Sequence, residues 1–112
     1  MALENQDLRQ LESVGAETTF AAGAMLIEHG QPGTGLYVVL DGSVVVEAPE
    51  GTRELGTGSV IGERALLSAD GKRTARVRTD TGARVLAVDR AAFDRLCERD
   101  EGLASRIADA AD

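Results

Sequence analysis

Short stretches of apolar and β-branched residues, each bounded by turn residues, fill the middle of the chain. Residues 35–41 (GLYVVLD) and 43–48 (SVVVEA) are the strongest of them and are typical of strands. Side chains alternate between the two faces of a strand, so each stretch has an apolar face. The positions expected on these faces are Leu36, Val38 and Leu40 in the first stretch and Val44 and Val46 in the second. The Asp41-Gly42 pair between the stretches predicts a β-hairpin.

Weaker strand signals lie on either side of these two stretches. They cover residues 18–20, 25–27, 53–56, 73–78 and 84–88. The chain has 13 glycines, and those between the stretches supply the closely spaced turns of an all-β domain. About eight strands in this order predict a mainly β fold, an antiparallel eight-stranded jelly-roll β-barrel, also called a double-stranded β-helix.

Helical periodicity is confined to the two ends of the chain. Leu8 and Leu11 are spaced i, i+3 in a polar stretch, which predicts a short N-terminal helix packed on the roll. Asp89 is a suitable N-cap for a helix near the other end. The apolar face of that helix would carry Phe93, Leu96 and Cys97, and a second helix after a break at 100–102 would carry Leu103, Ala104, Ile107, Ala108 and Ala111.

Length and composition allow one domain with a substantial core, since the chain has 112 residues and is 43% hydrophobic. We expect a single domain over 1–112 with an N-terminal helix (1–16), a β-roll (17–89) and C-terminal helices (90–112). The net charge is -7 and no basic tract occurs, which disfavours nucleic acid and anionic membranes as partners. The chain shows no long apolar run and no signal peptide, so we expect a cytoplasmic protein.

Cysteine and histidine each occur once, as Cys97 and His29. One thiol cannot form an internal disulfide, and one imidazole cannot supply a His-rich metal centre. We therefore expect no metal, no cofactor and no enzymatic activity. Cys97 is expected to pack in the core, and His29 to lie in an exposed loop. The acidic run Glu98, Asp100 and Glu101 is expected to be a solvated helix boundary.

Residues 58–77 (GSVIGERALLSADGKRTARV) carry the pattern with the clearest chemistry. Gly62 permits close approach of the backbone to a ligand, and the short turn beginning at Glu63 offers unpaired N–H groups to a phosphate. Arg73 can add a charge-assisted contact to the same phosphate. Glu63 suits a neutral hydroxyl instead, such as a ribose 2′-OH, so the acid and the arginine together indicate a cyclic nucleotide.

From about residue 19 to residue 96 the sequence resembles the cyclic nucleotide-binding domain family, which includes regulatory subunits of cAMP-dependent protein kinase, catabolite activator proteins and nucleotide-gated channels. GERAL (62–66) and RTA (73–75) are similar to parts of the family's phosphate-binding cassette, which would span 62–75. The opening strands are also similar, at Phe20, Gly23, Leu26, Gly30, Gly33, Gly35, Tyr37, Val39, Leu40 and Gly42.

The resemblance implies a set of ligand-binding residues in and beside this cassette. They are Val60, Gly62, Glu63, Arg64, Ala65, Leu66, Arg73, Thr74 and Ala75. Glu63 would accept a hydrogen bond from the ribose hydroxyl, and Arg73 would hold the cyclic phosphate. The backbone N–H of Ala65 would complete the phosphate cradle. Thr74 can contact either cyclic AMP or cyclic GMP in this family, so it does not decide the base.

This chain departs from the family pattern at two positions in the cassette. Arg64 stands where the family usually has an aliphatic residue, and Lys72 stands where many members have proline. Both add positive charge near the expected phosphate, which favours an anion. The family often covers the base with a residue from a final helix, and Leu103 or Ile107 would fill that role.

The sequence therefore predicts a non-enzymatic regulatory module that binds a cyclic nucleotide, cyclic AMP ahead of cyclic GMP. Binding would be relayed through the C-terminal helices to a protein partner, and a homodimer is left open. Alternatively, Glu63 and Arg73 form a loop ion pair, and the roll is a ligand-free scaffold for protein–protein association. A cupin-like metalloenzyme would need several histidine ligands, which the single His29 does not provide.

Overall fold

Two antiparallel four-stranded sheets form the body of the computed structural model, which describes residues 5–27, 35–49, 51–61 and 76–110. The described strands are β1 (Ala16–Phe20), β2 (Met25–Ile27), β3 (Gly35–Gly42), β4 (Val44–Ala48), β5 (Gly51–Leu55), β6 (Val60–Ile61), β7 (Arg76–Arg78) and β8 (Ala83–Asp89). Sheet A has the order β1-β8-β3-β6, and sheet B has the order β2-β7-β4-β5. Successive strands mostly alternate between the sheets, which is the connectivity of a jelly roll.

The strand order confirms the predicted mainly β, jelly-roll fold and corrects one detail of it. All the strand pairs among the described residues are antiparallel. These strands form two separate sheets that pack face to face, so the roll is a sandwich and not a closed barrel.

The predicted hairpin at Asp41-Gly42 is wrong, because β3 and β4 lie in different sheets. β3 pairs with β6 along one edge and with β8 along the other, which leaves no edge for β4. Gly42 has a φ of 87°, a left-handed conformation that suits glycine, and the chain then crosses to sheet B. The hairpin forms instead between β4 and β5, where Ala48 pairs with Gly51.

Three helices are present in the described ranges: α1 (Asn5–Glu12), α2 (Arg90–Arg99) and α3 (Leu103–Ala110). The predicted N-cap of α2 is confirmed, because Oδ1 of Asp89 accepts a hydrogen bond from the N–H of Ala92 at 2.8 Å. The break between α2 and α3 also falls where the sequence predicts it. No helix in the described part of the chain is long and apolar enough to cross a membrane.

Sheet A separates two buried apolar clusters. The helix-side cluster, between sheet A and the helices, consists of Leu11, Leu36, Val38, Val60, Leu86, Val88, Ala92, Phe93, Leu96, Leu103 and Ile107. The inter-sheet cluster, between sheets A and B, consists of Val39, Val44, Val46, Leu55, Ile61, Val77, Ala83 and Val85. The shared faces predicted for β3 and β4 are confirmed, since Leu36 and Val38 lie in the first cluster, and Val44 and Val46 lie in the second. β3 faces both clusters and is therefore the centre of the fold.

Thr79 joins the loops at one end of the roll and is fully buried. Its hydroxyl donates to the carbonyl of Ser43 at 3.1 Å and accepts from the N–H of Gly82 at 2.8 Å. Its backbone N–H donates to the carbonyl of Ala24 at 2.9 Å, and its carbonyl accepts from the N–H of Gly23 at 2.7 Å. The turns that follow β1, β3 and β7 therefore meet at this end.

Candidate functional site

Among the predicted ligand-binding residues, Val60 lies within the described part of the chain. It is 1% exposed, and its side chain packs in the helix-side cluster. The next residue, Ile61, is 3% exposed and belongs to the inter-sheet cluster. The other predicted residues, in 62–66 and 73–75, lie outside the described residues, as does His29. Their roles stay predictions.

The strands that flank the predicted cassette belong to different sheets. β6 ends at Ile61, whose backbone pairs with Tyr37 near the start of β3. β7 begins at Arg76, which pairs with Glu47 near the end of β4. β7 runs from Arg76 toward Thr79. The two residues that flank the cassette, Ile61 and Arg76, therefore both lie at the end of the roll opposite Thr79. The chain thus leaves sheet A and re-enters sheet B at the same end.

Arg53 places a charged residue on the inner face of sheet B. Its backbone pairs with Val46, which lies in the inter-sheet cluster. Side chains directly opposite each other in antiparallel strands point to the same face, so Arg53 is on the face that carries this cluster. Arg53 is half-buried and lies one inward-facing position before Leu55. β5 runs into a turn, and β6 runs out of that turn toward the cassette. Arg53 comes before Leu55 in β5, so it lies farther from the turn and nearer the end of the roll where the cassette starts.

Sequence reasoning missed Arg53, because its segment gave only a weak strand signal. The alternation of Arg53 with Leu55 was the pattern that could have placed it on the inner face. An arginine on an otherwise apolar face is an informative exception to the usual burial pattern.

Phe20, Leu26 and Tyr37 pack against the inter-sheet cluster but keep part of their surface exposed. The ring centroids of Phe20 and Tyr37 are 6.4 Å apart with an interplanar angle of 85°, an edge-to-face contact. The inner faces of the sheets therefore offer apolar surface together with the positive charge of Arg53. This combination suits a ligand that has both an apolar part and an anionic group.

Arginines on the outer surface of the sheets are held by nearby acids. Nε of Arg78 lies 2.9 Å from Oε1 of Glu47, and its Nη1 contacts Asp80. Arg84 contacts Glu17 across the β1–β8 pair. All these pairs are partly exposed, so each contributes little to stability.

Cys97 is half-buried and packs against the helix-side cluster, which confirms its predicted place in the core. Burial raises the pKa of its thiol, and the negative charges of Asp94 and Asp100 raise it further. In the part of the chain that the structure describes, no three histidine, cysteine or acidic residues form a group that could hold a metal ion.

The acidic run lies at a helix boundary with Glu98 and Glu101 exposed, as predicted, while Asp100 is partly buried and makes contacts that the sequence did not indicate. Its carboxylate accepts hydrogen bonds from Arg106 on α3 and from Nε2 of Gln10 on α1, the latter at 3.1 Å. The hydrogen bond from Arg106, followed by that from Gln10, lowers the pKa of Asp100. The side chain therefore connects the α2–α3 junction to two helices.

Leu103 and Ile107, the predicted lid residues, are both fully buried in the helix-side cluster. They pack on the outer face of sheet A together with Leu11 of α1 and Leu36 of β3. In this arrangement neither side chain faces the space between the sheets.

Comparison with known proteins identifies the family. Residues 17–100 match the family described as "Cyclic nucleotide-binding domain". The chain is 39% identical over 79 residues to cyclic nucleotide-gated potassium channel mll3241 of Mesorhizobium japonicum, covering 70% of this chain and 22% of that protein. It is 30% identical over 90 residues to the cAMP-dependent protein kinase regulatory subunit of Colletotrichum orbiculare, covering 78% of this chain and 23% of that protein.

The fold comparison agrees. A solved structure described as "A cyclic-GMP-dependent signalling pathway regulates bacterial phytopathogenesis" has a TM-score of 0.85 and 27% identity, covering 96% of this chain and 90% of that chain. The two curated relatives are much longer, and the chain spans under a quarter of their length. The family match covers most of the chain, including the predicted cassette and the strands on either side of it. This protein therefore belongs to the cyclic nucleotide-binding domain family.

Proposed function

We propose that this chain is a regulatory module that binds a cyclic nucleotide reversibly and catalyses no reaction. The observation that carries the proposal is the family match over residues 17–100, which includes the whole predicted cassette. The position of the cassette's flanks supports it, because the chain between Ile61 and Arg76 connects the two sheets at one end of the roll. A ligand bound there would have the inner faces of both sheets beside it.

In this proposal the two charged cassette residues recognise different parts of the nucleotide. Arg73 neutralises the cyclic phosphate, and Glu63 accepts a hydrogen bond from the ribose 2′-OH. Arg53 adds positive charge on the inner face of sheet B, which favours an anionic ligand over its neutral nucleoside.

The nucleotide is a purine cyclic monophosphate, and the sequence ranks cyclic AMP ahead of cyclic GMP. Thr74 suits both. One relative is named as a cAMP-dependent kinase subunit, and one structural relative is described by a cyclic-GMP-dependent pathway. Both nucleotides are therefore tested side by side.

The output would pass through the C-terminal helices to a protein partner in the cytoplasm. α2 begins directly after β8, which pairs with β3. The other edge of β3 pairs with β6, and the predicted cassette follows β6 in the chain. A ligand that binds one arrangement of the helices better than another shifts the population toward that arrangement. A second copy of the chain is one candidate partner, and neither nucleic acid nor a membrane is proposed as a direct one.

Thermal unfolding of the purified chain with increasing nucleotide tests the proposal. A ligand at about 100 times its dissociation constant stabilises the folded state by about 2.7 kcal/mol, which raises Tm by about 10 °C in a domain of this size. We expect this rise with cyclic AMP or cyclic GMP and no rise with 5′-AMP. No rise with either cyclic nucleotide, together with a mass that grows with concentration, would favour the ligand-free scaffold instead.

A further inference from the structure

β1 lies at the edge of sheet A, and no strand in the described part of the chain pairs with its outer edge. Ala16, Glu17, Thr18 and Thr19 are exposed, and Phe20 is partly buried. Successive side chains of a strand point to opposite faces, so β1 is open to solvent on both faces. The N–H and C=O groups along its outer edge can therefore pair with another strand.

The other sheet edges in the described ranges carry features that prevent such pairing. β6 has two residues there, and β2 has three with an irregular register between Met25 and Ile27. β5 carries the charged residues Arg53 and Glu54. Short strands, bulges and charges of this kind block edge-to-edge association in natural proteins. β1 differs from these edges, because its five residues pair with β8 in an unbroken register.

The one charged residue of β1 is already paired within the chain. Glu17 contacts Arg84 on the same face of the β1–β8 pair. An acid with a cation beside it repels a second copy of the strand less than an unpaired acid does. The threonines and the phenylalanine of β1 favour strands. The composition of this edge is therefore compatible with pairing to a copy of itself.

The sequence of β1 is also self-complementary in an antiparallel pair. Opposite residues in such a pair either both form hydrogen bonds to each other or both do not, so a two-fold axis passes at a residue and not between two residues. An axis at Thr18 sets Thr18 opposite its own copy, Glu17 opposite Thr19, and Ala16 opposite Phe20. An axis at Glu17 would instead set two acids opposite each other, which is unfavourable.

We propose that two copies of this chain associate through their β1 edges about a two-fold axis at Thr18, so that sheet A of one copy continues into sheet A of the other. A directly opposite Thr–Thr pair stabilises such a contact. The small side chain of Ala16 leaves room for the partly exposed ring of Phe20 from the second copy. The proposal goes beyond nucleotide binding, and none of its residues belongs to the predicted cassette.

The contact is small, because each copy contributes a five-residue strand. Small interfaces are typical of weak and transient complexes. We therefore expect a monomer–dimer equilibrium whose position depends on the concentration of the chain. A permanent dimer would need a larger surface than this edge provides.

Analytical ultracentrifugation of the purified chain over a concentration series measures this equilibrium. We expect the mass to rise from one chain toward two as the concentration approaches about 1 mM. Thr18→Lys sets two ammonium groups opposite each other at the axis and should weaken the dimer by about tenfold or more. Thr52→Lys is the matched control, because it makes the same change at an exposed threonine on β5, the edge of sheet B. Thermal unfolding shows whether each variant is folded.

A mixture of two variants tests the register and the identity of the partner. Thr18→Lys and Thr18→Glu should each associate poorly alone, and mixing them sets opposite charges at the axis and should restore a dimer. If Thr18→Lys does not fold, cross-linking gives the answer instead. Opposite residues have Cα atoms about 4.5–5.5 Å apart, which a disulfide can bridge, so mild oxidation should link Thr18→Cys into dimers and leave Thr52→Cys unlinked.

Association that Thr18→Lys weakens, that Thr52→Lys keeps and that the mixture restores supports the proposal. A natural chain that stays monomeric up to about 1 mM overturns it and leaves this edge to a strand of a different protein. A dimer that Thr18→Lys does not weaken also overturns it, since the copies would then meet through another surface, such as the terminal helices. These outcomes are independent of whether the chain binds a nucleotide, so this proposal and the proposed function fail separately.

Discussion

Arg53 pairs with Val46 across the β4–β5 ladder, so a guanidinium shares a face with the valines between the two sheets. Val44 and Leu55, the next pair on that face, are both buried. Arg53 therefore places positive charge on the face that leads toward the predicted cassette.

Arg53→Leu should preserve the fold and weaken nucleotide binding by about tenfold, because it removes positive charge facing an anionic ligand. Calorimetric titration measures the affinity, and thermal unfolding without ligand measures the stability. Arg95→Leu, an exposed arginine on α2, is the control. An unchanged affinity in Arg53→Leu would remove this residue from the site.

Arg73→Ala should weaken binding far more, because it leaves the phosphate without its principal charged partner. Removing one partner of a buried charge pair costs about 2–5 kcal/mol, which is tens- to thousands-fold in affinity. The titration compares this variant with Arg90→Ala, which removes an exposed arginine from α2. Equal affinities for Arg73→Ala and the natural chain would contradict the assignment.

Glu63→Gln should reduce the preference for a ribose over a deoxyribose. The natural chain is expected to bind the cyclic nucleotide more tightly than its 2′-deoxy analogue, by about tenfold for a hydrogen bond to a charged acceptor. Competition between the two ligands measures the ratio in both proteins. Glu54→Gln, an exposed glutamate on β5, is the matched control. A full preference retained in Glu63→Gln would show that another group holds the hydroxyl.

The free energy of unfolding should fall by different amounts when Asp7 or Arg106 is replaced, although the carboxylate of Asp7 accepts its hydrogen bonds from Arg106. Leaving the carboxylate of Asp7 buried without a partner costs about 3–5 kcal/mol. The side chain of Arg106 is 40% exposed and also contacts Asp100, so it tolerates the loss of Asp7 better. Arg106→Leu should therefore destabilise the chain more than Asp7→Leu.

Urea unfolding of both single variants and of the double variant measures this difference. The double variant should lose less free energy of unfolding than the sum of the single variants, because the two residues contact each other. Additive losses, or a larger loss in Asp7→Leu, would show that the carboxylate is not held by Arg106.

Asp100 should make the stability of the chain depend on pH in the acid range. The hydrogen bond from Arg106 lowers the pKa of Asp100 below the ordinary value of an aspartate, about 3.9. A carboxylate with a lowered pKa in the folded state stabilises the protein above its unfolded pKa, and this contribution is lost as the pH falls through the folded pKa.

Unfolding of Asp100→Asn and the natural chain between pH 7 and pH 2 measures this contribution. The stability difference should be full at pH 7 and should shrink below about pH 4. Glu101→Gln, at the exposed neighbouring position, is the control. A difference that stays constant down to pH 2 would contradict the assigned role of this carboxylate.

The sequence predicted local structure well and long-range arrangement only in part. Alternation placed Leu36 and Val38 on one face, and the capping preference of Asp89 located the start of α2, because both are properties of neighbouring residues. The turn at Asp41-Gly42 was misread, because the same two residues can reverse a chain within one sheet or lead it to another. The apolar residues Tyr37 and Val39 on the second face of β3 were the sign of a central strand.

The helix contacts show a different limit of sequence reasoning. Asp7 and Arg106 are 99 positions apart, and no local pattern indicates that they meet. Asp100 looked like part of a solvated acidic run, because the sequence does not show that α1 packs over the α2–α3 junction. The cassette could be predicted from its motif, because its expected chemistry depends on residues that lie close together in the chain, and its residue roles stay predictions.

Isothermal titration of the purified chain with cyclic AMP, cyclic GMP and 5′-AMP tests the central claim most directly. We predict saturable binding of at least one cyclic nucleotide with a stoichiometry of about one per chain, and no binding of 5′-AMP, which lacks the cyclic phosphate. A folded chain that binds neither cyclic nucleotide at millimolar concentration would contradict the claim that this domain is a cyclic nucleotide sensor.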